Sequence, residues 1–421
     1  MGFSRKDGFN KKYKLSPIYF LMQDIKFEVI KKIGDTNFKI KNISNIYKLD
    51  SNSPPSVFVG SMLKYPNVNV GILSPLERDE NAWLYDDAKF WAENNFNVND
   101  VIKIRESLLN SRFTAGVKDF NLNKKFVQIA QEIALASKPV DVEIELKRGL
   151  SFGNKRDRIL TPHGLSAGLK KAKIVSNVKI HRKVEKVMSG EYKANEGIDY
   201  LYKNNFNEYT LSKILSVGVL GMRNSKKLVP TRWSITATDD IIAKTLIENV
   251  KNYKQIENYE LFFGDFMGNE YLILLFPDIF SFELFELYLP GSSWNPSQEI
   301  KASTDFESYF GRKKYASNTA GGYYATRLPI LEYLNGIKRQ ASILAIRIET
   351  PSYWAALGVW VVRESVRKSM KKKIHFSTRE ELIKAAKQIG QVKFNFNPEM
   401  ILKKSKILNE VLTQRKLFEW V

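Results

Sequence analysis

Residues 140–146 alternate Val140, Val142, Ile144 and Leu146 with Asp141, Glu143 and Glu145. Alternation of that kind predicts a strand with one face buried. Two further apolar runs, 259–263 and 271–276, are separated by a glycine-containing turn and predict a hairpin. Strands are also expected at 56–60, 68–73, 174–178, 184–187, 233–237, 342–349 and 357–362, while 280–289 is aromatic and alternates only in part, with Glu286 breaking the pattern. Helical spacing appears at 83–91, 101–109, 126–136, 210–219 and 241–250, the last capped by Asp239 or Asp240. A helix from Gly321 toward Gly336 carries a kink at Pro329. Ser377 and Glu380 form a capping box for a helix over 379–389 that stops at Gly390. Asn397-Pro398 opens a final helix through Leu412, with Ile401, Leu408, Val411 and Leu412 on its buried face.

Strands cluster in twos and threes, without regular strand–helix alternation, so the expected class is α+β with mixed or antiparallel sheets. Pro290-Gly291-Ser292-Ser293-Trp294-Asn295-Pro296-Ser297 reads as a linker. The chain then divides into a basic leader (1–50), an N-terminal region (51–290), a C-terminal region (291–413) and a tail (414–421).

Charge narrows the partners. Lys plus Arg number 66 against 45 Asp plus Glu, a formal charge of +21. That excess favours a polyanion, nucleic acid before an acidic membrane surface. No cysteine is present, which excludes disulfides, thiolate nucleophiles, iron–sulfur clusters and Cys-type zinc sites. The histidines are only His163, His181 and His375, so a catalytic metal would rest on carboxylates, as Mg²⁺ or Mn²⁺ do. No apolar run approaches the ~20 residues of a membrane span. A soluble, cytoplasmic protein is expected.

Three places concentrate candidate chemistry. Asp239 and Asp240 suit Mg²⁺ ligation, with Arg232 facing a phosphate; the bland alternative is an N-cap and an ion pair. Arg363 and Glu364, with Arg367 on the next turn, form a second cluster: the arginines for phosphate, Glu364 as a base or metal ligand, or simply an Arg–Glu pair. Tyr323, Tyr324 and Arg327 join aromatics to a cation, which suits stacking on single-stranded nucleic acid and equally suits packing. Lys155 and Arg156 lie in a glycine-rich loop that fits no P-loop spacing. Lys371 and Lys372 belong to the densest basic run, the kind that carries salt-sensitive phosphate contacts or is merely a solvated face.

The tail contains Gln414, Leu417, Phe418, Trp420 and Val421. Its spacing resembles the PIP box by which proteins dock on the replication sliding clamp (PCNA), with Val421 in place of the second aromatic. A last helix folded back on its own core is the alternative.

Pro54-Pro55-Ser56-Val57-Phe58-Val59-Gly60, Val229-Pro230-Thr231-Arg232-Trp233-Ser234-Ile235-Thr236 with Asp239-Asp240, Gly321-Gly322-Tyr323-Tyr324-Ala325-Thr326-Arg327-Leu328, Leu357-Gly358-Val359-Trp360-Val361-Val362-Arg363-Glu364 and the tail occur in this order. Together they resemble the archaeal NreA (Nre) family of DNA repair proteins. The resemblance implies a part in DNA repair through docking on the archaeal sliding clamp, and it implies no particular reaction. Many members carry an N-terminal Cys-rich zinc motif, which a chain without cysteine lacks. The expected function is therefore a clamp-docked DNA-binding repair protein, with a Mg²⁺- or Mn²⁺-dependent nuclease-like activity as an open addition. The rivals are a non-catalytic adaptor between the clamp and other repair factors, and an enzyme acting on a phosphorylated small molecule.

Overall fold

The computed structural model describes residues 47–62, 64–118, 121–148 and 162–413. Most of the leader, Lys155, Arg156 and the whole 414–421 tail lie outside the described residues. The fold is α+β, with two six-stranded mixed sheets among the described residues.

The first sheet uses β1 (Lys48–Ser53), β2 (Val57–Val59), β3 (Asn67–Ser74), β4 (Leu109–Gly116), β5 (Val140–Leu146) and β6 (Ser166–Ile174) in the order β1-β5-β6-β4-β3-β2. Between them run a 3₁₀ turn at Ala82–Asp86, α1 (Ala88–Glu93), α2 (Val98–Glu106) and α3 (Lys124–Leu135). The 140–146 alternation holds: Val140, Val142, Ile144 and Leu146 are buried.

Four helices lead to the second sheet: α4 (Arg182–Met188), α5 (Ala194–Lys203), α6 (Glu208–Ser216) and the 20-residue α7 (Thr231–Val250). The sheet comprises β7 (Tyr259–Phe266), β8 (Asn269–Phe276), β9 (Ser281–Tyr288), β10 (Lys301–Glu307), β11 (Ser342–Glu349) and β12 (Lys373–Phe376), ordered β10-β9-β11-β8-β7-β12. Helices α8 (Ala320–Ile337) and α9 (Val359–Ser369) lie on one side. On the other side are α10 (Arg379–Phe394), α11 (Glu399–Lys404) and α12 (Lys406–Thr413). Both faces are buried, which explains the unbroken apolar runs. On β8, Leu272, Leu274 and Phe276 join the core under α10–α12, while Tyr271, Ile273 and Leu275 join the core under α8 and α9. Pro290–Ser297 connects β9 to β10, so strands from both sides of it share one sheet.

Several local expectations are corrected. Residues 233–237 and 241–250 form one helix, α7, with Asp239 and Asp240 in its interior instead of at a cap. Its inward face carries Ser234, Thr236, Thr238 and Asp239, so the small polar residues that pack there hide the helical period. The 357–362 strand is instead the start of α9, which opens at Gly358 with φ 103°, a backbone conformation suited to glycine. The 184–187 strand is helix α4, and the 174–178 strand is displaced to β6. Asn207 caps α6, accepting from Thr210 N at 2.9 Å. The capping box of α10 is Thr378 with Glu381, and that helix runs through the buried Gly390 to Phe394. The final helix breaks at Ser405, where the buried Glu283 carboxylate accepts from Ser405 Oγ at 2.6 Å and from Lys406 N at 3.1 Å. An acceptor at the start of α12 satisfies its free N–H groups and complements its dipole.

The β7–β8 hairpin carries a measurable liability. Glu270 stands directly opposite Asp265 in the register. Its Oε2 is buried with no hydrogen-bond partner among the described residues. Burial, then the Asp265 charge, pushes its pKa up to about 7. A carboxyl raised in the folded state stabilises below its ordinary pKa, and that contribution is lost as pH rises through about 7. Glu270→Gln should therefore flatten this pH dependence and raise the urea midpoint most at alkaline pH. An unchanged midpoint across that range would show the carboxyl to be well solvated.

Among the described residues, no helix is long and apolar enough to cross a membrane.

Candidate nucleic-acid interface

Helix α7 is the spine on which the sequence motifs meet. Thr231, at its start, accepts a hydrogen bond from Val59 N at 2.8 Å, tying the 54–60 motif to the 229–240 motif. At its middle, consecutive acids diverge. Asp239 is buried and receives Arg363 Nη1 at 2.7 Å. Asp240, partly exposed, receives Arg327 Nη2 and Lys244 Nζ, both at 2.7 Å. Adjacent helical residues point about 100° apart, so the two carboxyls serve different clusters.

The first cluster lies between α6, α7, α8 and α9. Arg363 packs over the Tyr209 ring at 4.8 Å and approaches Glu208 at 3.4 Å. Arg367 donates to Glu208 at 2.8 Å, to Glu364 at 2.7 Å and to Glu332 at 3.1 Å. Tyr209 Oη donates to Glu364 at 2.7 Å. Burial raises the Asp239 pKa to about 6, with Arg363 opposing that shift; its Oδ1 has no hydrogen-bond partner among the described residues. Burial also acts to raise Glu208, but Arg367 and Arg363 outweigh it and hold the pKa below its ordinary value. For Glu332 burial prevails and the pKa is raised.

Glu208, Tyr209, Glu332, Glu364 and Arg367 of this network line an open cleft of about 710 Å³, in which Lys89, Lys203, Arg367, Lys368 and Lys371 are balanced by Glu93, Asp199, Glu208, Glu332 and Glu364. Behind it, a cavity of about 90 Å³ is lined by Ser56, Phe58, Thr231, Trp360 and Arg363. The first, second and fourth sequence motifs thus converge on one buried spot.

The second cluster lies on the other side of α7. Arg327 is buried between Glu307, at 2.8 Å, and Asp240, with its guanidinium over the Tyr323 ring at 5.3 Å. It borders a cleft of about 600 Å³ shared with Lys244, Lys251, Arg312, Lys313, Lys314, Phe310 and Tyr315. Six basic and three acidic side chains line that cleft, so its walls favour an anion.

The structure sorts the sequence candidates clearly. Arg363, Arg367 and Glu364 come together, and Asp239 joins them. Arg327 and Asp240 form the other set. Arg232 is half-buried on the first turn of α7. Tyr323 is fully buried and Tyr324 nearly so, with Tyr324 Oη accepting from Ala316 N at 3.0 Å, which makes both packing residues. Lys371 and Lys372 are exposed. No group of three or more His, Cys, Asp or Glu side chains positioned to hold a metal occurs among the described residues. The sequence reading passed over the loop Ser308–Tyr315. Its signal was present in Tyr309-Phe310-Gly311-Arg312-Lys313-Lys314-Tyr315, aromatics interleaved with cations.

Comparison with known proteins covers nearly the whole chain. The profile described as archaeal Nre, N-terminal matches residues 21–295, and archaeal Nre, C-terminal matches residues 307–420. The chain is 39% identical over 321 residues to the DNA repair protein NreA of Haloferax volcanii, covering 74% of this chain and 76% of that protein. It is 40% identical over 334 residues to the DNA repair protein NreA of Archaeoglobus fulgidus, covering 77% and 82%. To the DNA repair protein NreB of the same organism it is 36% identical over 335 residues, covering 79% and 83%. No solved structure matches it. Two profile matches in order and extended identity to three named relatives lead to one conclusion: the chain belongs to the archaeal Nre family.

Proposed function

We propose that this chain is a DNA repair protein that binds DNA and docks on the sliding clamp through Gln414, Leu417, Phe418, Trp420 and Val421. The observation that carries the repair role is its extended identity to relatives named as DNA repair proteins. DNA as ligand is supported by the +21 charge and by the cleft beside Arg327, lined by six basic side chains against three acidic ones. Clamp docking is supported by the spacing of Gln414, Leu417 and Trp420 in the tail. A helical turn presenting a few apolar anchors is a recurrent way to fill a groove.

Between catalysis and binding, the site favours binding. Asp239 and Asp240 turn to different sides of α7, and each already neutralises an arginine. The non-catalytic adaptor is accordingly the second reading.

The test compares the wild-type chain with Gln414→Ala/Leu417→Ala/Trp420→Ala. The triple variant should lose capture by the immobilised clamp while keeping the wild-type circular dichroism and DNA affinity. For both proteins, log affinity for DNA should fall against log salt with a slope of roughly −4, as about five neutralised phosphates require. Clamp capture by the triple variant equal to wild type, or a flat salt dependence, would overturn the corresponding half of the proposal.

A further inference from the structure

Phe310 is 93% exposed, the most exposed large apolar side chain among the described residues. Hydrogen bonds tie down the loop that carries it. Gly311, at φ 78°, donates to Ser308 O at 2.8 Å and closes a tight turn with Phe310 at its tip. Behind the turn, Arg312 donates to Phe306 O at 2.8 Å and to the buried Asp305 at 2.9 Å. The other Asp305 oxygen accepts from Asn318 N at 3.0 Å and from Thr319 N and Oγ1, both at 2.9 Å, fixing the far end of the loop. Tyr309 lies edge-on to Phe310 at 5.9 Å and beneath the Lys251 ammonium at 4.7 Å. Tyr315 is stacked on Tyr324 at 5.3 Å, leaving half its surface exposed to the same cleft that Phe310 lines.

An apolar ring anchored in water is unfavourable unless something covers it. What covers it must tolerate Lys313 and Lys314, which flank the ring in sequence and are both exposed. Burying those ammonium groups against an apolar protein surface would strand their charge. An unpaired nucleotide fits both demands, because a base offers a flat face for stacking and its phosphates offer negative charge. The cleft volume of about 600 Å³ lies within the range of small-ligand sites.

We propose that the loop Ser308–Tyr315 is a stacking site for an unpaired nucleotide. The base packs on Phe310 in the cleft shared with Tyr315, and the flanking phosphates meet Lys313, Lys314 and Lys251. The proposal rests on the reading of this chain as a DNA-binding protein and specifies which form of DNA it grips here: a single-stranded segment, recognised without regard to sequence.

The test uses a short oligonucleotide carrying one 2-aminopurine, as a single strand and as a duplex, with the full chain. Phe310→Ala should bind the single strand ~10-fold more weakly and lose the fluorescence change of the stacked base, with duplex affinity unchanged. Phe310→Trp should restore both. Lys313→Ala/Lys314→Ala should lower the salt slope for the single strand by roughly 1 to 2. If the wild type binds DNA but Phe310→Ala binds the single strand equally well, this site is wrong and the DNA-binding proposal stands. If the wild type binds neither form, both are wrong. If Phe310→Ala instead loses binding to anionic lipid vesicles with single-strand affinity intact, the loop is a membrane contact and the proposal fails.

Discussion

Arg363→Ala lowers the free energy of unfolding by ~3–5 kcal/mol, read as a fall in the urea midpoint. The side chain is almost wholly buried, 2.7 Å from Asp239 and 3.4 Å from Glu208, with Tyr209 against its face. Removing the guanidinium strands Asp239 in the interior, where one carboxylate oxygen already has no hydrogen-bond partner among the described residues. Burial has raised its pKa to about 6 even with Arg363 beside it, so the loss of that cation raises it further. The stability contributed by a raised carboxyl is present at low pH and lost as pH rises through the folded pKa. The defect should therefore be largest at alkaline pH and shrink as Asp239 takes up a proton. Arg363→Met/Asp239→Leu removes both charges and should recover most of the loss, since a buried pair replaced by apolar groups is often neutral. A single variant costing under ~1 kcal/mol would mean that water reaches the pair.

Gly322→Ala lowers stability by ~2–4 kcal/mol, opposite in sign to what helix propensity alone predicts. In an exposed helix interior the change from glycine to alanine gains ~1 kcal/mol. Here a β-carbon would fall on Oε1 of Glu286. That oxygen is held by Arg347 Nη1 at 2.6 Å, and the other one accepts from Tyr288 Oη at 2.6 Å. Arg347, Glu286 and Glu349 are all buried in the second sheet. The added methyl displaces the carboxylate and leaves the guanidinium short of its partner, which is the costly way to break a buried pair. Gly336→Ala, later in the same helix and with open space around its β-position, is the control and should be neutral or stabilising. Equal behaviour of the two variants in urea would show that Glu286 moves aside freely.

Much of the second sheet was legible because its longer strands are rich in leucine, isoleucine and aromatic residues and bounded by turns. The 342–349 strand of that sheet and the 140–146 strand of the first sheet are found with the expected bounds. The failures at α7 and α9 share one cause. Helices α7 and α9 are buried around much of their circumference, so no polar face betrays the period, and Trp233-Ile235-Ala237 and Val359-Val361 read as alternation. The site was legible by residue type and not by partnership. Asp239, Asp240, Glu364, Arg327, Arg363 and Arg367 were all singled out, yet Asp239 meets Arg363 across 124 residues and Asp240 meets Arg327 across 87. Sequence spacing carries no information about such pairs. Tyr323 was taken as a stacking candidate, but it is packed against Phe282 and Arg327; the most exposed ring is Phe310, in the cleft that Arg327 borders.

The strand order of the second sheet bears on the order of synthesis. β11 lies between β9 and β8, pairing parallel to one and antiparallel to the other. Until residue 349 has emerged from the ribosome, the backbone edges of β8 and β9 that β11 joins lack that partner. β8 and β9 therefore wait, with hydrogen-bonding edges open, for a strand made late, while the first sheet has all its strands by residue 174.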